Sequence, residues 1–223
     1  MAMRYVETEL NKLGEKDLAD IIAGVHGKLG RDIPLSTEAR AETKRFTPEQ
    51  RKALKKQGFV IYDLTGQSIR ALRDSGRQFW TTWHKDFPDF EALGSMQSEV
   101  AINPNRLFLP ESNNKTLAQQ QEMVSKFSKE LGKKVRGIKA IIGQAPDYVE
   151  LAFRHLDETG DYLFGAKYSY DATATKTPKS GSRVVYVVGK FDADNGLIVS
   201  YWNILAGHGH IRVAPLVVPA SNA

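Results

Sequence analysis

The chain contains no cysteine, which removes disulfide frameworks, thiolate metal sites, iron–sulfur clusters and a cysteine nucleophile together. It has no apolar stretch approaching the ~18 residues a membrane helix needs. Its opening residues, MAMRYVETELNKLG, carry acids early and no apolar export core, so the cytoplasm is the expected compartment, with surface display through a partner left open. The usual catalytic signatures are missing too: no G-x-S-x-G, no H-E-x-x-H, no P-loop and no EF-hand loop, while GHGHIR (207–212) lacks the third glycine of a dinucleotide fingerprint. No enzyme activity and no cofactor are therefore expected.

What is present is the alphabet of an ordinary globular protein. Of 223 residues, 41% are hydrophobic and 26% charged, with a net charge of +5, enough chain to bury a core without staples. Much of the positive excess is local: Lys126, Lys129, Lys133, Lys134, Arg136 and Lys139 face Glu130 alone across a predicted helix end at Gly132. Cations there complement the helix dipole and read first as a solvated end; contact with nucleic acid is the alternative reading.

The first 57 residues read as a helical appendage. Leu18, Ile21, Ile22, Val25 and Leu29 form one stripe at helical spacing, a face open to a partner or to self-association. Gly30 to Arg45 is polar and reads as a linker or a loosely attached helix. Thr47, Pro48 and Gln50 then make a capping box for a helix closed by Gly58. From Phe59 the pattern changes: FVIYDLTG predicts a strand and SIRALRDSG a short helix. Phe79, Trp80, Trp83, Phe87 and Phe90 read as a core-lining irregular segment. SEVAINPNRLFLPES is strand-like. Thr116 and Gln119 cap a helix to Leu131 whose inward face is Met123, Val124, Phe127 and Leu131. After VRGIKAIIG, a further helix is predicted from Asp147 as cap to Gly160. From Tyr162 onward strands and turns predominate. Helices early and strands late argue an α+β domain over 58–223.

Among five histidines only His208 and His210 cluster; two strand positions apart share a face, but two ligands without a third make a weak metal site, and none is expected. His155, beside Asp157 and Glu158, reads as an exposed or half-buried helix residue more readily than as an acid–base catalyst.

The most informative shortage is in the last 33 residues. Lys, Glu, Gln and Met make up 44 of the 223 residues, yet none occurs from Phe191 to Ala223, where uniform composition would place about six or seven. Strands disfavour Lys and Glu, which explains part of the deficit.

FDADNGLIVSYWNILAGHGHIRVAPLVVPA, taken with EVAINPNRLFLPES, KTLAQQQEMVSKFSKEL, DYVELAFRHLDETGDYLFG and KYSYDATATKTP, resembles the variable proteins of diversity-generating retroelements, which have a C-type lectin fold. In that family a reverse transcriptase miscopies template adenines, so Asn codons turn into many others but never into Lys, Glu, Gln, Met, Trp or a stop. Every residue from Asn195 to Arg212 except Trp202 lies in the reachable set. The resemblance implies a C-type-lectin-like domain of two helices packed on small antiparallel sheets, with a variable region at about 183–212. Phe191, Ala193, Gly196, Leu197, Val199, Trp202, Pro215 and Leu216 would be fixed. The displayed ligand-binding positions would be Val185, Tyr186, Asn195, Ile198, Ser200, Tyr201, Asn203, Ile204, Leu205, His208, His210, Ile211 and Arg212. The implied ligand is a protein or other macromolecule. The chain has no Glu-Pro-Asn or Trp-Asn-Asp triplet, only Trp202-Asn203-Ile204, so the resemblance does not extend to calcium-mediated sugar binding.

Overall fold

The computed structural model describes residues 44–80, 88–168, 171–175 and 184–220. The helical stripe from Leu18 to Leu29, most of the linker, Trp83, Phe87 and the opening residue of the variable region lie outside these. The chain divides into two units between Ala41 and Glu42, and all that follows concerns the second.

Among its described residues are five helices and eight strands, in the order α1 (Pro48–Lys56), β1 (Val60–Thr65), α2 (Ile69–Asp74), α3 (Pro88–Ala92), β2 (Gln97–Ile102), α4 (Leu117–Lys134), β3 (Ile138–Ile141), α5 (Ala145–Thr159), β4 (Ala172–Ala174), β5 (Val184–Asp192), β6 (Gly196–Asn203), β7 (Ile211–Arg212) and β8 (Leu216–Pro219). The fold is α+β. One sheet runs β1-β2-β8-β3, wholly antiparallel; the other runs β6-β5-β4-β7, with only β4 and β7 parallel.

Each sheet contributes buried side chains from both of its faces. Val100, Ile102, Val188, Leu197, Val199, Leu216 and Val218 pack with Tyr148, Leu151 and Phe153 of α5. Their strand neighbours Ala101, Val185, Val187, Trp202 and Val217 pack with Leu54 of α1 and Leu117, Val124 and Leu131 of α4. Successive side chains on a strand point to opposite faces, so a strand covered on both sides reads as an unbroken apolar run. VVYVV and LVV are such runs.

The predicted helix starts hold where a hydroxyl caps. Thr47 accepts from Gln50 N–H, and Thr116 from Gln119 N–H, each with the glutamine returning the bond. Two expected ends move. α4 runs through Gly132 to Lys134, since Leu131 and Val135 are both buried there and the packing outweighs the ~1 kcal/mol cost of an interior glycine. α5 starts two residues before Asp147, whose carboxylate instead reaches back to Gln144 N–H at 2.7 Å and across to Met96 N–H at 2.6 Å. Gly160 ends it in the left-handed region at φ 77°.

One boundary is corrected. The expected appendage 1–57 includes α1, but Leu54 and Phe46 are core residues, and Phe46 N–H donates to the buried Glu99 carboxylate at 2.8 Å. Residues 44–57 belong to the same packed unit as the strands.

Candidate ligand-binding face

The β5–β6 hairpin fixes where most of the expected display positions point. Val185 lies opposite Trp202, Tyr186 opposite Tyr201, Val187 opposite Ser200 and Gly189 opposite Ile198. Directly opposed residues share a face. Tyr186, Tyr201 and Asn203 therefore face one side, and Val185, Ser200, Ile198 and Trp202 the other. Both sides are packed along most of their length, so the expected set does not form one strand face.

Two members are corrected outright. Val185 is fully buried and Ile211 is 7% exposed; both belong to the core under α4, because the sheet carries a layer on each side. Tyr186 is half-buried, its ring stacked on Phe90 with centroids 3.5 Å apart. Ile198, Ser200, Ile204 and Arg212 are also half-buried. Asn195 is exposed, but it sits in the β5–β6 turn with its side chain bonded to Asp192. The eight residues of β6 separate it from Asn203 by roughly 25 Å.

Five display positions remain in water. Tyr201 is 63% exposed and Leu205 68%, and Asn203, His208 and His210 are exposed too; β6, which carries Tyr201 and Asn203, and β7, which follows His210, lie at opposite edges of the sheet. The loop from Ile204 to His210 is anchored from below. Asn114 N–H donates to the His208 carbonyl at 3.0 Å, and Leu117 N–H, at the start of α4, donates to the Ile204 carbonyl at 3.1 Å. Buried Gln120 spans the Ser112 and Ile211 carbonyls with its amide nitrogen, at 2.8 and 3.2 Å, and Ser112 Oγ accepts from Val213 N–H. Gly207 is required by this docking, since a Cβ there would meet the Asn114 backbone at 2.7 Å. Within the loop, Asn203 Oδ1 accepts from Leu205 N–H and His208 Nδ1 from His210 N–H, at 2.9 and 3.1 Å.

Sequence reasoning missed the supporting segment 112–117 and missed Asp171. SNNK reads locally as nothing more than a polar turn. Asp171, 5% exposed, holds Arg212 Nε at 3.0 Å with one oxygen and faces His210 Nδ1 at 3.2 Å with the other. No acidic residue occurs from Asn195 to Arg212, so this buried carboxylate is the counter-charge to the face. His208 and His210 occupy a turn rather than a strand, with ring centroids 5.9 Å apart. Among the described residues no group of three or more His, Asp or Glu side chains is placed to hold a metal ion.

His155 differs from its sequence reading. It is 6% exposed, with Nδ1 2.6 Å from the Tyr62 hydroxyl. Burial holds the imidazole below its ordinary range and pushes the Tyr62 phenol up to about 12. In the basic cluster, Lys126 pairs with Glu122 and Lys133 with Glu130, at 2.8 and 2.6 Å on the exposed face of α4. No helix among the described residues is long and apolar enough to cross a membrane.

No protein-family model, no curated protein and no solved structure matches the chain.

Proposed function

We propose that this chain is a non-enzymatic binding protein in which a C-type-lectin-like domain displays side chains diversified by a retroelement, and that its ligand is a protein or another macromolecule. One coincidence carries the reading. Tyr201, Asn203, Leu205, His208 and His210 are each exposed, and all are reachable by adenine miscopying of Asn codons. Trp202, the one residue of the stretch outside that set, is 6% exposed and packed in the core. Exposed Tyr and Leu among small polar groups suit recognition, with the large side chains supplying contact area and the polar ones adapting their hydrogen bonds. An idle surface has little use for two large side chains so fully in water.

The test is a library randomised at those five positions with codons of the Asn-derived set, scored for thermal unfolding. Members that keep Asn, Asp, Ser or His at 203 and 208 are expected to melt close to the parent whatever stands at the other three positions, and selection against a protein target should yield binders whose affinity maps to the five positions. Unfolding of most of those members would overturn the reading. The neighbouring DNA tests the retroelement itself: a near-copy of the final coding stretch, differing only at adenines and lying beside a reverse-transcriptase gene, is the expected arrangement.

A further inference from the structure

Away from the exposed face, a hollow of about 690 Å³ opens between the C-terminal half of α4, the segment after β2 and the end of β7. Its volume is that of a site for a small organic molecule. Phe59, Leu107, Phe108 and Leu131, each under 9% exposed, line it together with half-buried Phe127 and Leu109. The charges around it are unbalanced. Arg106, Lys134 and Arg212 line it against Glu130 alone, and Glu130 is already engaged by Lys133 at 2.6 Å. Arg106 and Lys134 are exposed and make no ion pair among the described residues.

Arg212 is held differently from the other two cations. Its Nε lies 3.0 Å from an oxygen of buried Asp171, and its guanidinium carbon sits 6.0 Å from the centre of the Phe108 ring. The ion pair holds the guanidinium beside the carboxylate, although Nε is buried and makes no hydrogen bond. Among the described residues neither terminal nitrogen is bonded, so four N–H donors are left beside an apolar hollow. A guanidinium held this way is prepared for a planar, two-oxygen acceptor, and less of its side-chain freedom is lost on binding.

We propose that this hollow binds a small amphipathic carboxylate, an apolar body of aromatic size ending in one carboxylate that meets the terminal nitrogens of Arg212, with Arg106 and Lys134 adding long-range attraction. The apolar lining takes the body, and the charge imbalance selects the acid over its neutral counterpart. This site is separate from the diversified face except for Arg212, and either reading stands if the other fails.

Calorimetry and amide chemical-shift mapping with 2-naphthoate, against the neutral 2-naphthylmethanol, test it on the full chain at low salt. 2-Naphthoate is expected to bind saturably with one-to-one stoichiometry, about tenfold more tightly than the alcohol, and to shift the amides of Leu107, Phe108, Leu109, Leu131 and Arg212. Arg212→Lys keeps the charge on Asp171 compensated but removes the fork, and should erase most of that preference. Arg106→Gln and Lys134→Gln, both at exposed positions, should each weaken the acid about twofold to threefold and leave the alcohol unchanged. Equal affinity for acid and alcohol, absence of saturable binding, or shifts centred elsewhere would each overturn the proposal. If Arg212→Lys does not fold, the acid-to-alcohol ratio of the parent and of the two exposed-site variants still decides it.

Discussion

Tyr201 and Trp202 are adjacent on β6, and alternation sends them to opposite sides of the hairpin: one is 63% exposed, the other 6%. Trp202 packs opposite Val185 in the core beneath α4. Truncating a buried Trp to Ala removes its transfer free energy and leaves a cavity, a combined cost of about 3–5 kcal/mol. For a unit spanning Glu42–Ala223, each kcal/mol lowers the midpoint by about 2–4 °C, so Trp202→Ala should melt roughly 6–20 °C below the parent. Tyr201→Ala removes a side chain that is mostly in water already, and surface changes of this kind stay within about 0.5 kcal/mol, or at most about 2 °C. Far-ultraviolet circular dichroism melts of the two variants, run beside the parent, give both numbers without depending on tryptophan fluorescence. The reasoning fails if the two shifts are alike, or if Tyr201→Ala is the more damaging, because then the frame and the displayed set are not separable.

Gly207→Ala should lower stability by about 1–3 kcal/mol although the residue is exposed, since the new Cβ would meet the Asn114 backbone at 2.7 Å; a melt matching that of the parent would show that the loop does not dock there. Acid should weaken the fold in two stages. Burial lowers the His155 imidazole, so its contribution is complete above the unfolded value of about 6.5 and is lost as pH falls through the lower folded value. For Glu150, burial raises the carboxyl, but bonds from Ser95, Thr65 and Arg154 outweigh it and leave the carboxyl below its ordinary range. Its contribution is complete above about pH 4.3 and is lost as pH falls further. Urea unfolding between pH 7.5 and 3.5 should show a decline beginning near pH 6.5 that His155→Gln flattens, followed by a second that Glu150→Gln flattens; stability constant from pH 7.5 to 5 would contradict the burial of His155.

Most of the helices and the first strand were legible because their signals are local. Thr47 with Gln50, Thr116 with Gln119 and the closing Gly160 each act within one turn of helix, and such caps are written in consecutive residues. The insertion of β8 between β2 and β3 has no local mark, nor does the pairing of Asp171 with Arg212 across 41 positions. β5 was misread for a related reason. VVYVV shows no alternation because α4 covers one face of the hairpin and α5 the other, and a period that burial has erased cannot say which valine points outward.

The same geometry limits how freely the face can vary. A swappable position needs a side chain in water, and it also needs a backbone that does not depend on that side chain. Tyr201 and Leu205 meet both conditions, being largely exposed with no side-chain hydrogen bond among the described residues. Asn203 and His208 meet only the first, since Asn203 Oδ1 accepts from Leu205 N–H and His208 Nδ1 from His210 N–H. Each such bond closes a short side-chain-to-backbone ring two residues long, which Asp or Ser can reproduce and Val, Ile or Phe cannot. Folded members of the five-position library should therefore be unrestricted at Tyr201 and Leu205 and enriched in Asn, Asp, Ser and His at 203 and 208. Equal tolerance of β-branched apolar residues at all four positions would mean that the loop backbone is held by Asn114, Gln120 and Leu117 alone.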